Sequence, residues 1–322
     1  MAVCARSAPP VRAYSPKPMT VQQPISHHYS PVFYQKPWAV DGRVTRYYRP
    51  HKAVVADSKV PKAIGCEDHL YDFEGLPAGA AAPSLEVQFF SPVDSRAAVV
   101  HQRLLAGDLN KLSPQEREDW ARFLLSMQLR NPFALAEVKR LAEQNLRANL
   151  DRETDREYQA VRRPGDPETI WEWTQVHEPH VIQNAHKQFL PGLIDHKELG
   201  QYLMNMHWAT IDVSTATQSL LTGDRPLIST HGWKDPNCVV HFPLSPHNLF
   251  AATNSPTVTK RVLALPRTPL VKWMNNEIAR CAVDFVIGQD DKQLLFIERR
   301  LRQRDQDPVP GPVGKGRPNC PA

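Results

Sequence analysis

The chain has little of what staples or anchors a protein. Its five cysteines (Cys4, Cys66, Cys238, Cys281 and Cys320) are far apart, and no two form a Cys-x-x-Cys pair. That spacing argues against a disulfide framework and a Cys-rich zinc site, and for reduced thiols in the cytoplasm. No run approaches the roughly 18 apolar residues of a membrane span, so no membrane association is expected. Residues 1–24 carry Arg6, Arg12 and Lys17 without an acid, but lack the continuous apolar stretch of a secretory signal. Excess charge is small as well: 39 Lys and Arg against 34 Asp and Glu give +5, which permits a nucleic-acid partner without requiring one. Gly-x-Gly-x-x-Gly, Gly-x-Ser-x-Gly and His-Glu-x-x-His are all missing. The Gly311–Gly316 stretch lacks the spacing of a phosphate loop.

Proline is abundant. Seven of the 30 fall in residues 1–37 and five in 308–322. Because proline removes a backbone donor and resists helix, both ends read as extended. The expected organisation is a disordered leader (1–25), a single domain (26–304) and a disordered Pro-rich tail (305–322).

Within the domain, residues 42–57 hold two β-branched and aromatic strand candidates. Phe89, Val93, Ala97, Val100 and Leu104 then recur at helical spacing. Ser113-Pro114-Gln115-Glu116 places an N-cap serine, a first-turn proline and a glutamate in the capping-box order. This predicts a helix to about Arg130, before Asn131-Pro132, and another over about 133–150. From His207 the pattern alternates with period two, and strand candidates follow through Ala251. Two helices close the chain, the first lined by Leu270 to Phe285, the second by Leu294, Ile297 and Leu301. The expected class is α+β: a central helical block, a small and mostly antiparallel sheet, and C-terminal helices. The strands near 43–56 are expected to join the 207–252 sheet.

Three segments carry candidate chemistry. Ser26-His27-His28-Tyr29-Ser30-Pro31-Val32-Phe33-Tyr34 precedes the first strand. Adjacent histidines on an extended segment point to opposite sides, so one faces inward, as a ligand, a general base or a structural hydrogen-bonding group. Leu221-Thr-Gly-Asp224-Arg-Pro226 displays a carboxylate at a strand end, either catalytic or capping its own turn. Phe242-Pro-Leu-Ser-Pro246, flanked by His241 and His247, reads as a rigid bend between strands. Asp195-His196 with Asn205 and His207 is spaced too tightly for an HNH-type nuclease, and the Arg299, Arg300, Arg302, Arg304 cluster reads as a solvated helix face.

In this order the segments resemble the domain of unknown function 4238 family. His28-Tyr29, Pro31 and Tyr34 match its opening motif, Asp224 and Pro226 its middle motif, and Pro243-Leu-Ser-Pro246 its turn. Asn275 or Asn276 falls in the last long helix. The chain departs from the family with Gln35 in place of Leu, Gly223 in place of Ser and Arg225 in place of Asn. The resemblance implies that His28 and Asp224 meet at one site, and implies no reaction. The favoured expectation is a metal-dependent hydrolase, a nuclease or phosphoesterase. His28 and Asp224 would be catalytic, Arg225, Tyr34 and His241 substrate-binding, and a divalent metal the cofactor. The alternative is a non-catalytic nucleic-acid or protein binding module in which His28 and Asp224 are structural.

Overall fold

The computed structural model describes residues 24–76, 84–150 and 155–302. The tail, and the leader up to residue 23, lie outside the described residues. Strand β1 (Ser26–His28) pairs antiparallel with β4 (Cys66–Asp68). A short helix α1 (Val32–Gln35) follows β1, and β2 (Val44–Tyr48) and β3 (Val55–Lys59) form a hairpin-like pair.

The helical block begins with a π-helical turn over Glu86–Phe90 that runs into α2 (Ser91–Leu105). Helix α3 (Pro114–Leu129) starts as its sequence requires. Ser113 Oγ accepts from the Glu116 N–H, and the Glu116 carboxylate accepts from the Ser113 N–H. Such caps contribute about 1 kcal/mol. Helix α4 (Pro132–Asn149) is capped by Asn131. Helices α5 (Asp155–Val161), α6 (Ile170–His177), α7 (Pro179–Ile194) and α8 (Lys197–Asn205) complete the block.

Then come β5 (His207–Asp212), β6 (Thr222–Gly223), β7 (Ile228–Ser229), β8 (Val239–Ser245) and β9 (Asn248–Thr253). Helices α9 (Pro256–Leu263) and α10 (Arg267–Cys281), strand β10 (Phe285–Gly288) and α11 (Leu294–Glu298) end the described chain. The class is α+β, with small antiparallel sheets among the helices.

Three expectations are corrected. Phe285 does not extend the helix: α10 stops at Cys281 and Phe285 opens β10. The strands at 44–59 do not join β5, β8 and β9, which form their own sheet in the order β5-β9-β8-β7. They join β10, in the order β3-β2-β10-β6. The Pro243-Leu-Ser stretch lies within β8, with an irregular register at Pro243/Ser245, and the bend falls at Pro246-His247.

The core between helices and sheet is aromatic. Trp120 packs edge-on against Phe242 at 5.8 Å and Phe250 at 6.0 Å, and Tyr34 lies 4.8 Å from Phe242. Among the described residues, no helix is long and apolar enough to cross a membrane.

Candidate functional site

The two histidines of β1 do face opposite ways. His27 is the inward one, fully buried and stacked 5.5 Å from Tyr71. Its Nδ1 accepts from the Tyr71 N–H and its Nε2 donates to the Pro24 carbonyl, so its ring is structural. His28 is half-buried and its Nε2 donates to the Lys62 carbonyl at 3.0 Å. The chain after His28 is clamped by Gly65, whose carbonyl accepts from the N–H groups of Tyr29 and Ser30. Gly65 has φ +67°, and a Cβ there would lie 2.4 Å from Ser30 Cβ, so glycine is required at that approach.

Beside His28 stands a group that the sequence did not single out. Arg130 ends α3 and is fully buried. Its Nε donates to the Tyr29 carbonyl at 2.9 Å, and its two terminal nitrogens meet the Asp94 carboxylate at 2.8 and 3.4 Å. Asp94 is about one-fifth exposed. Burial lifts its carboxyl above the usual range, while the charge and hydrogen bond of Arg130 and the charge of His28 pull it down.

Glu86 lies one π turn before α2. Burial pushes its carboxyl up to about 7. The charge of Arg130 opposes this, that of Asp94 reinforces it, and the His28 backbone N–H opposes it. Glu86 Oε2 is buried without a hydrogen-bond partner among the described residues. In a regular α-helix a residue eight positions on lies about 80° round the axis. The π turn takes in an extra residue, which brings Glu86 toward the face that carries Asp94.

Asp224 is 1% exposed. Its carboxylate accepts from the Asp284 N–H at 2.6 Å and the Val283 N–H at 3.0 Å, holding the turn between α10 and β10. Asp284 in turn accepts from the Tyr29 hydroxyl at 2.8 Å. The opening and middle motifs therefore converge, but through Tyr29 and Asp284. No hydrogen bond or ion pair joins His28 to Asp224 among the described residues. Gly223, where the resemblance implies a serine, lies where β6 meets β10, and a Cβ there would lie 2.7 Å from the Phe285 carbonyl. A serine would force the two strands apart.

The remaining candidates lie elsewhere. Tyr34 is fully buried, its hydroxyl bonded to Thr222 Oγ1 at 2.6 Å and raised far above the usual tyrosine value by burial. His241 is 1% exposed, its pKa pulled down to about 3 by burial. Neither of its ring nitrogens has a partner among the described residues, and its ring meets Trp273 at 5.1 Å. Arg225 is half-buried. Asp195 and His196 serve helix ends: Asp195 pairs with Arg122, and the His196 ring caps α8. Among the described residues, no group of three or more His, Cys, Asp or Glu is placed to hold a metal ion.

The only trace of Glu86, Asp94 and Arg130 in the sequence is three charges set among apolar helix positions, where the usual meaning is solvent. A family model described as a protein of unknown function (DUF4238) matches residues 26–292. No curated protein and no solved structure matches the chain.

Proposed function

The chain belongs to the DUF4238 family, and from that premise we propose that it is a hydrolase working by general acid–base catalysis at Glu86, on phosphate esters. The observation that carries this reading is the Glu86 carboxyl. It is poised at about 7, and one of its oxygens is buried without a partner among the described residues. A carboxyl with that pKa is populated in both forms at neutral pH. As a carboxylate it takes the proton of an attacking water, and as an acid it protonates the leaving oxygen. Burial raises both Glu86 and the Arg130-bound Asp94, and the charge of Asp94 adds to the rise at Glu86. The His28 backbone N–H bonds to the same carboxyl, which ties the opening motif to this reading.

Asp224 takes a positioning role: it fixes Asp284, which holds Tyr29 next to His28. Among the described residues no ligand set is placed for the expected divalent metal, so the step is written with protein groups. Phosphate esters, the substrates of a nuclease or phosphoesterase, are the class expected from the sequence; Arg225, whose guanidinium type suits a phosphate oxygen, lies apart from Glu86 and takes no part in the acid–base step. Cys66 and Cys238 form no disulfide among the described residues, in keeping with the reduced thiols of the cytoplasm.

The test is turnover of p-nitrophenyl phosphate and bis-p-nitrophenyl phosphate from pH 5 to 9, for the wild type and Glu86→Gln. A rate with a limb near pH 7 that Glu86→Gln abolishes supports the reading. Equal rates in the two proteins, or no turnover of either ester, overturn it.

A second reading, nucleic-acid binding without turnover, has one observation in its favour. Arg280, Arg299 and Arg300 have no ion-pair partner among the described residues. Burial, and then the charges of Arg299 and Arg280, push the Arg300 guanidinium below its usual value. Its test is the salt slope of binding to a DNA or RNA oligonucleotide. Binding unchanged between 50 and 200 mM salt, or absent at both, would remove it.

A further inference from the structure

A hollow of about 410 Å³ lies where the end of α8, the edge strand β5 and the start of α9 come together beside α3. It is separate from Glu86, Asp94 and Arg130. Arg117, His207 and Lys260 line it together with Trp208, Met206 and Pro256, and no described acidic residue does. The hollow between α3 and α8 differs in this respect, because Arg96, Arg122 and Lys197 face Glu118, Asp119 and Asp195 there.

The Arg117 guanidinium is held in place. It lies 3.8 Å from the Trp208 ring centre, and one terminal nitrogen donates to the Met204 and Met206 carbonyls at 2.7 and 3.2 Å. Trp208 is fixed by its indole N–H to the Leu203 carbonyl at 2.9 Å. The other guanidinium nitrogens of Arg117 make no hydrogen bond among the described residues, and they are not sealed from solvent. Neither Arg117 nor Lys260 has a carboxylate partner among the described residues. Burial pulls the Arg117 guanidinium below its usual value. A half-buried, rigidly held cation with no counter-ion attracts an anion strongly. Pro256 is the first residue of α9, so the positive end of that helix adds to the same field.

We infer that this hollow binds a small phosphate monoester. The held guanidinium of Arg117 and the exposed ammonium of Lys260 match a group that carries about −1.5 to −2 at neutral pH, and the unpaired N–H groups of Arg117 match its oxygens. Met206 and Pro256 supply an apolar wall for the organic part. The volume is near the lower end of the range for ligand sites, which sets the size of the ligand.

The experiment is calorimetric titration of the full chain with phenyl phosphate and, separately, with inorganic phosphate. A saturable site for phenyl phosphate is expected at this hollow, weakened at least tenfold by Lys260→Glu and unchanged by Arg299→Glu. Because Arg117 also braces Met204 and Met206, Lys260→Glu is the primary variant and Arg117→Lys the second. Tighter binding of phenyl phosphate than of inorganic phosphate places the organic part on the apolar wall, and equal binding assigns the site to the phosphate group alone. Both results support the site. No binding of either compound, or equal affinity in wild type and Lys260→Glu, overturns it. Loss of binding in Glu86→Gln would instead move the ligand to the acid–base site.

Discussion

The Tyr29 hydroxyl donates to the Asp284 carboxylate at 2.8 Å across 255 residues of sequence. This bond ties the segment carrying His28 to the turn that Asp224 holds. It joins two distant motifs through Tyr29 and Asp284. On one side Arg130 grips the Tyr29 carbonyl, and on the other Asp224 grips the backbone of Asp284. The tyrosine thus carries position from the β10 turn to the helical block.

Removing that hydroxyl leaves a partly buried carboxylate short of a donor. Tyr29→Phe is expected to cost about 1–3 kcal/mol, because hydrogen bonds to charged groups sit at the upper end of their range. Asp284→Asn should cost less, since the amide oxygen still accepts. Urea denaturation of both single variants and the double variant gives the coupling. A coupling energy near zero would show that the bond contributes nothing.

Glu86 makes a prediction with a definite sign. Its folded pKa, about 7, lies above that of an unfolded glutamate. Between the two values the folded chain holds more protons, so the stability this group contributes is present at low pH and lost as pH rises through 7. Glu86→Gln removes the penalty of burying a carboxylate. Its melting temperature at pH 8 should exceed that of the wild type by about 2–4 °C, and the gap should close at pH 5. A gap of equal size at both values would mean that Glu86 is already ionised below pH 5.

Arg130 is the central cation of the site and wholly buried. Breaking a buried ion pair from one side costs about 3–5 kcal/mol, because the partner charge stays behind. Arg130→Met strands Asp94 and the Tyr29 carbonyl together and should fall in that range. Arg130→Lys keeps the charge but loses the fork that reaches both, and should cost about half as much. Chemical denaturation orders the two, and a milder effect for Arg130→Met than for Arg130→Lys would show that the charge is not needed there.

The legible parts of the chain were those with local rules. Ser113 and Glu116 announced α3 because a cap is satisfied within four residues, and the period-two stretch from His207 announced β5. Phe285 fits a helix in the sequence because it continues the spacing of Met274, Ile278 and Cys281. A short apolar run such as Phe-Val-Ile-Gly fits a buried strand equally well. The site divides along the same line. His28 and Asp224 were visible as polar residues in ordered motifs. Glu86, Asp94 and Arg130 were not, since a charge on an amphipathic helix normally faces water, and only the π turn and the burial of Arg130 turn these three inward.

His241 is a buried imidazole whose part in the fold can be measured. It lies within β8, 1% exposed, and neither ring nitrogen finds a partner among the described residues. A buried polar group left unpaired costs about 1–3 kcal/mol, and an apolar group of similar shape avoids that cost. His241→Leu strands no partner, so it is expected to stabilise the fold at pH 7. The effect should grow in acid. The folded pKa of His241 is about 3, well below that of an unfolded histidine. The unfolded chain therefore takes up a proton first, and the stability this neutral ring contributes is lost as pH falls from about 6.5 toward 3. His101 and His186, both lowered to about 4 chiefly by burial, act in the same direction. The wild type should lose stability steeply below pH 6, and His241→Leu less steeply, as read from melting temperatures at pH 7, 6, 5 and 4. A variant less stable than the wild type at pH 7 would mean that His241 has a polar partner in solution, and would return it to the list of ligand-binding residues.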